Sequence, residues 1–333
     1  MEQIKAISPA DGAEIEICAP YQKEFYTCTK YRKEKKIIRK IIRAKKEQGF
    51  FSLPSPAVFR WEPSQTIAEL EISESADFSD SIKILSENGE AKVYNLKKNT
   101  EYFWRVDSGN IHNFFTDGIM PRWIFADGYC NIRDFGGETN KDGVKIKQGM
   151  IFRGPRLEKE TPAEGINALH ELEIRTDLDL RKEAIGKLTA SPLGKKSNFI
   201  LHPCYGYEEF LNDNPKNIKY LIEYFTDENL YPIYFHCHGG QDRTGTLAFM
   251  LGAVLGLDDE TLIREYELTM MAFPDKKLTR SRKDKIRKYL KILKNRDKTK
   301  TLGENAVDFL RECGVSESDF SKIREIMLVS SHK

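Results

Sequence analysis

The first third of the chain alternates apolar and polar residues in short runs. Those at Ala57–Trp61, Ala68–Ser73, Ser81–Leu85, Ala91–Asn95, Glu101–Asp107 and Ile111–Thr116 predict strands. Turn residues separate them at Pro63-Ser64, Asn88-Gly89, Lys98-Asn99 and Ser108-Gly109-Asn110. Short strands at this spacing predict a β-sandwich over residues 1–118. Inside that region, Lys30 to Lys46 is dense in Lys and Arg, with Ile37, Ile38, Ile41 and Ile42 in one narrow helical stripe. This predicts a basic helical insertion near 30–48. Its ordinary reading packs the stripe on its own protein and leaves the lysines in water. The alternative lays it on an anionic membrane or an acidic partner.

The pattern changes after the linker Asp117–Arg122. Strands are expected at Trp123–Ala126, Ile151–Arg153, Arg175–Leu180, Asn198–His202 and Tyr231–Phe235. Helices are expected at Pro162–Leu172, Pro215–Thr226 and Thr246–Leu255. Strands alternating with helices predict an α/β domain over 119–333 with a largely parallel sheet. Its C-terminal part is helical: Thr261–Met271, Arg280–Leu293, Gly303–Cys313, and Glu317–Leu328 capped by Ser316.

With 333 residues the chain has room for two domains, and a net charge of +2 gives no reason to expect nucleic acid. The six cysteines, Cys18, Cys28, Cys130, Cys204, Cys237 and Cys313, have no disulfide spacing. No apolar run is long enough to span a membrane, and Met1–Pro9 has no apolar signal core. The expected compartment is the cytoplasm, or the periplasm or exterior if a leader has been removed.

One segment carries chemistry. His236-Cys237-His238-Gly239-Gly240-Gln241-Asp242-Arg243-Thr244-Gly245 lies between an expected strand and an expected helix. The strand delivers Cys237 to the carboxyl edge of the sheet, where α/β folds bind ligands. Gly239 and Gly240 let backbone N–H groups of His238 to Arg243 converge as an anion-binding nest. The following helix turns its positive end to the same point, and Arg243 adds a guanidinium fork for phosphoryl oxygens. The same field acts on the thiol: a free cysteine titrates at about 8.5, and such a setting lowers it to about 3.5–7.5. Cys237 is then a nucleophile, Thr244 can donate to its sulfur, and His236 is expected to fix the loop. The ordinary reading of a cysteine after a strand is a small buried hydrophobe. Zinc is a third reading, weakened because adjacent His236, Cys237 and His238 rarely reach one metal. A nucleotide loop is excluded by the missing G-x-x-x-x-G-K-[ST] pattern.

The segment resembles the signature of cysteine-dependent phosphatases. Its fuller form is similar to that of atypical bacterial tyrosine phosphatases that also take phosphoinositides. Asn131–Gly137, Ile151-Phe152-Arg153, and Asp179-Leu180-Arg181 with Glu183 resemble further elements of that family. The resemblance runs from about Pro121 to the C-terminus. The chain departs from the family at Gln241, where lysine is frequent in members with phosphoinositide activity, and at Gly154, where serine is common. Phe59-x-Trp61 and Leu96-x-x-Asn99-Thr100-x-Tyr102-Phe103-Trp104-Arg105-Val106 resemble a fibronectin type III module. Such a module serves as a brace or binds a protein partner.

The resemblance implies phosphomonoester hydrolysis through a cysteinyl phosphate, without metal or cofactor. Phosphotyrosine protein is the expected substrate, a phosphoinositide or inositol polyphosphate the alternative. A catalytically dead reader of phosphate is the reading from another class. The leaving group needs a proton, and the Trp-Pro-Asp segment of ordinary tyrosine phosphatases is absent. Asp179, which the family implicates, is the expected acid, with Asp242 as its rival and Asp213 behind them. An ion pair with Arg181 is the plain alternative for Asp179. Arg153 and Arg181 are expected to extend the positive surface, with ion pairs to neighbouring carboxylates as the plain alternative, and Tyr205, Tyr207 and Phe210 to wall the pocket or join the core.

Overall fold

The computed structural model describes residues 4–27, 53–64, 67–118, 121–158, 163–272 and 280–330. The basic stripe at Lys30–Lys46 lies outside the described residues, as do Pro162 and part of the linker. The described residues divide into two compact units: 4–27 and 54–124 form the first, and Leu53 together with those from Phe125 onward form the second.

The first unit holds β1 (Lys5–Ser8), β2 (Ala13–Ile15), β3 (Ala57–Glu62), β4 (Ala68–Ser73), β5 (Ser81–Ser86), β6 (Glu90–Val93), β7 (Glu101–Val106) and β8 (His112–Thr116). They form a sheet β1-β3-β6 and a sheet β2-β8-β7-β4-β5. Alternation decides which side chains turn inward. Ala57, Phe59 and Trp61 of β3 are buried, as are Tyr102, Trp104 and Val106 of β7. The two sheets share one core, where Phe59 meets Trp104 and Phe114 edge-on at 5.2 and 5.4 Å.

The second unit is built on β9 (Arg133–Asp134), β10 (Ile151–Gly154), β11 (Thr176–Asp179), β12 (Asn198–Leu201) and β13 (Ile233–His236), in the order β12-β11-β13-β10-β9. β10, β11, β12 and β13 are parallel, and β9 runs antiparallel to β10. Two expectations fail. Trp123–Ala126 forms no strand, although all but Phe125 are buried. The edge strand is Arg133–Asp134, whose buried charges hide it from a hydropathy reading. The helix after Cys237 spans Asp242–Val254, beginning at Asp242 and not at Thr246. Asp242, Arg243 and Thr244 are therefore its first turn, where an acid suits the dipole. From Thr244 to Val254 every residue is buried. This helix packs between β13 and the helices Asp259–Glu267, Leu302–Glu312 and Glu317–Met327. A helix covered on all sides carries apolar residues all round.

The parallel register aligns three strand ends. Gly154 of β10 and Asp179 of β11 both pair with His236 of β13. Cys237 follows at once, at the carboxyl edge where open α/β sheets bind ligands.

Candidate active site

Carbonyls tied away from the site shape the loop. Asn131 Nδ2 donates to the carbonyls of Gly239 at 2.9 Å and Gly240 at 3.1 Å. Arg153 Nη2 donates to Gly240 O at 2.6 Å. Since the C=O and N–H of a peptide unit point in opposite directions, these bonds aim the N–H groups of Gly240 and Gln241 the other way. Gly240 has φ +65°, and a Cβ there would lie 2.5 Å from the carbonyl of Gly154. Glycine is required on both counts.

Beneath the loop lie two guanidiniums. Arg133 and Arg153 are fully buried, and both bind Glu265. Arg133 also donates to Asn131 Oδ1, which fixes the amide that holds the loop. Burial, then the charge of Arg153, pulls the Arg133 guanidinium below its usual value, and Glu265 opposes this. Arg153 therefore does not extend the positive surface: it supports the loop from below.

Cys237 is 3% exposed. Burial alone would raise its thiol, but the net shift is downward. The Thr244 hydroxyl and N–H, the charge of Arg243 and the Gly239 N–H together outweigh burial. Among the described residues Thr244 Oγ1 has no hydrogen-bond partner of good geometry, yet it lies close enough to favour the thiolate. Arg243 Nη1 and Nη2 meet Glu183 in a bidentate pair at 3.0 and 2.7 Å. That pair holds the fork and pulls the Glu183 carboxyl down to about 2, against burial. His238 is exposed, and its carbonyl accepts from Arg156 N at 3.4 Å. Gln241 is buried and caps the helix with its backbone only.

His236 is buried and bonds Asp177 at 2.9 Å, with Asp179 at 4.0 Å. Burial lowers its pKa, the charge and hydrogen bond of Asp177 raise it, and the net direction is up. Ser191 donates to the other Asp177 oxygen at 2.7 Å. Asp177 was missed by sequence reasoning, although it shares the Asp179 face of a strand that alternates acid and leucine.

The acid candidates separate by geometry. Asp179 is fully buried, and Arg181 occupies both its oxygens through Nε and Nη2. Arg181 also bonds Glu158, so it too is interior and not surface. Asp213 accepts from Asn214 N and Asn217 Nδ2, bracing the start of the helix Pro215–Glu223. Asp242 is half-buried, and its Oδ1 accepts from Tyr207 Oη at 2.5 Å. Among the described residues Oδ2 has no hydrogen-bond partner. Tyr207 and Phe210 join the core of this unit. Tyr205 is exposed, with the Lys182 ammonium 3.8 Å from its ring centre. Glu265, Tyr234 and Tyr266 carry no local sequence signal; only the fold brings them here.

A model of the tyrosine phosphatase family matches residues 124–329. Among solved structures, the chain is similar to the core catalytic domain of the PP-IP phosphatase SIW14 from S. cerevisiae in complex with citrate. The identity is 21%, over 43% of this chain and 84% of that one, with a TM-score of 0.30. No curated protein matches.

Proposed function

We propose that this chain, which belongs to the tyrosine phosphatase family, hydrolyses phosphate monoesters through Cys237. One observation carries the reading: a buried cysteine with a lowered thiol pKa inside a loop whose carbonyls are tied outward. The Cys237 thiolate attacks phosphorus in line, the P–O bond to the leaving group breaks, and the phosphoryl group passes to sulfur. Loop N–H groups and Arg243 hold the charge that develops on the phosphoryl oxygens. Asp242 gives its proton to the departing oxygen, because its Oδ2 is open while both oxygens of Asp179 are engaged. Water then attacks phosphorus, the thiolate leaves, assisted by Thr244, and Asp242 takes the proton from water. His236 and Arg181 support the loop and β11.

Phosphotyrosine protein is the substrate we favour. A nucleophile only 3% exposed is better reached by a long aryl phosphate than by phosphoserine, and exposed Tyr205 offers an aromatic face. A phosphoinositide is the second reading, supported by exposed Lys182 and weakened by neutral Gln241. We read residues 1–118 as a fibronectin type III-like sandwich that serves as a brace or binds a protein. Its Tyr102 hydroxyl accepts from Lys97 N at 2.8 Å, a tie of the kind sandwich domains use.

The test compares a phosphotyrosine peptide, a phosphoinositide and phytate. Wild-type protein is expected to release phosphate fastest from the peptide, and Cys237→Ser to bind without turnover. If Cys237→Ser keeps a tenth of wild-type activity, the mechanism fails. Binding without turnover by the wild type would favour a phosphate reader.

A further inference from the structure

We propose that Tyr207 is a positioning residue of the hydrolytic site, donating to Asp242 Oδ1 so that the acid proton of Asp242 sits on Oδ2. The proposal rests on the reading of Asp242 as the acid. Tyr207 has φ 58° and ψ −131°, a region that side chains other than glycine rarely occupy. Such strain persists only where the surroundings over-determine it. Several contacts do so here. Tyr207 N donates to Thr246 Oγ1 at 2.8 Å, and Thr246 Oγ1 donates to Asp242 O at 2.9 Å. The ring stands edge-on to Tyr266 and Tyr289, with centroids 5.8 and 6.5 Å away. Gly206 lets the segment lie close: a Cβ there would sit 3.1 Å from Arg243 N. The strained residue is thus clamped onto the first turn of the helix that carries Asp242.

Proton counting gives the direction. Each phenol brings one O–H. Tyr207 Oη bonds both Asp242 Oδ1 and Tyr266 Oη. While Asp242 is ionised its carboxylate only accepts, so Tyr207 gives its proton to Oδ1 and Tyr266 gives its own to Tyr207, and the proton that Asp242 then takes up goes to Oδ2. Burial, then Tyr266 and the charge of Asp242, holds the Tyr207 phenol far above its ordinary value, so it remains a donor. With Oδ1 accepting, a protonated Asp242 carries its hydrogen on Oδ2. Without Tyr207 the carboxyl is free to rotate and to expose either oxygen.

The experiment measures kcat and KM of Tyr207→Phe, Asp242→Asn and the double variant on aryl phosphates of graded leaving-group pKa. Tyr207→Phe is expected to lower kcat about tenfold on the poorest leaving group and little on the best, with KM unchanged. The double variant should lose no more than Asp242→Asn alone. Alkylation of Cys237 at the wild-type rate shows that the loop is intact. Uniform loss across leaving groups, or additive losses in the double variant, overturns the positioning role. So does a Tyr207→Phe enzyme like wild type beside an Asp242→Asn enzyme that depends on the leaving group. An Asp242→Asn enzyme without that dependence overturns the acid assignment and this proposal together, while leaving the Cys237 chemistry standing. Should Tyr207→Phe not fold, Tyr266→Phe removes only the donor behind it. It should shift the same profile about threefold in the same direction, and no shift overturns the proposal.

Discussion

A single added carbon at Gly154 should disturb the site from behind. Serine, common here in the family that the sequence resembles, would supply that carbon. A Cβ at Gly154 would lie 2.1 Å from Tyr234 Oη, 2.9 Å from Tyr234 Cζ and 3.0 Å from Ile132 Cγ1. The ring cannot yield easily: Tyr234 is fully buried and its hydroxyl donates to Pro155 O at 2.7 Å. Overpacking costs about 1–3 kcal/mol. Breaking that bond and leaving a buried polar group unpaired costs about 1–3 kcal/mol more. Gly154→Ala should therefore destabilise by about 2–6 kcal/mol. Tyr234→Phe removes the clashing oxygen but orphans Pro155 O, about 1–2 kcal/mol alone. In the double variant the clashing oxygen is gone and only the Cζ and Ile132 Cγ1 contacts remain tight, so the loss should fall short of the sum by about 1 kcal/mol or more.

The assay is urea unfolding followed by helical ellipticity. Tryptophan fluorescence would miss the event, because Trp61, Trp104 and Trp123 all belong to the first unit. Activity should fall with stability in Gly154→Ala, since the Gly154 carbonyl abuts Gly240. Additivity within about 0.5 kcal/mol would refute the reasoning. It would mean that Tyr234 does not fill the space a serine would take.

Three further outcomes follow from the site. Alkylation of Cys237 should inflect below the ordinary thiol value of about 8.5, and Thr244→Val should move the inflection upward; equal inflections would remove Thr244 from the role. The raised pKa of His236 means that its pair with Asp177 stabilises the fold fully below about pH 6.5, and that this contribution is lost as pH rises through the folded value. Urea unfolding of wild type and Asp177→Asn from about pH 5 to about pH 9 should show their difference shrinking with pH, and a constant difference would contradict the pairing. Glu183→Ala should loosen Arg243 and weaken inhibition by inorganic phosphate about tenfold, with unchanged inhibition as the contrary result.

What was legible in the sequence was what short-range pattern encodes. The strand, glycine-rich loop and helix around Cys237 are contiguous, so their order could be read directly. The alternation of β3 and β7 likewise announced which residues turn inward. Legibility failed where burial and charge coincide. β9 is Arg133–Asp134, polar in sequence and wholly interior, because Glu265 and backbone groups satisfy it. Arg153 resembled surface for the same reason and is at 0% exposure. Tyr207 was legible as an aromatic but not as a strained donor, since its φ is imposed by contacts far along the chain.

The longest of these links matters most to the chemistry. Arg153 and Glu265 are separated by 112 positions, Arg133 and Glu265 by 132. No local pattern could have joined them. Arg133 and Arg153 both meet the Glu265 carboxylate beneath the loop. In a low-dielectric interior such pairs are screened less than surface ones. The bonds that turn the loop carbonyls of Gly239 and Gly240 away therefore depend on distant residues: Asn131, held by Arg133, and Arg153, both guanidiniums being tied to Glu265.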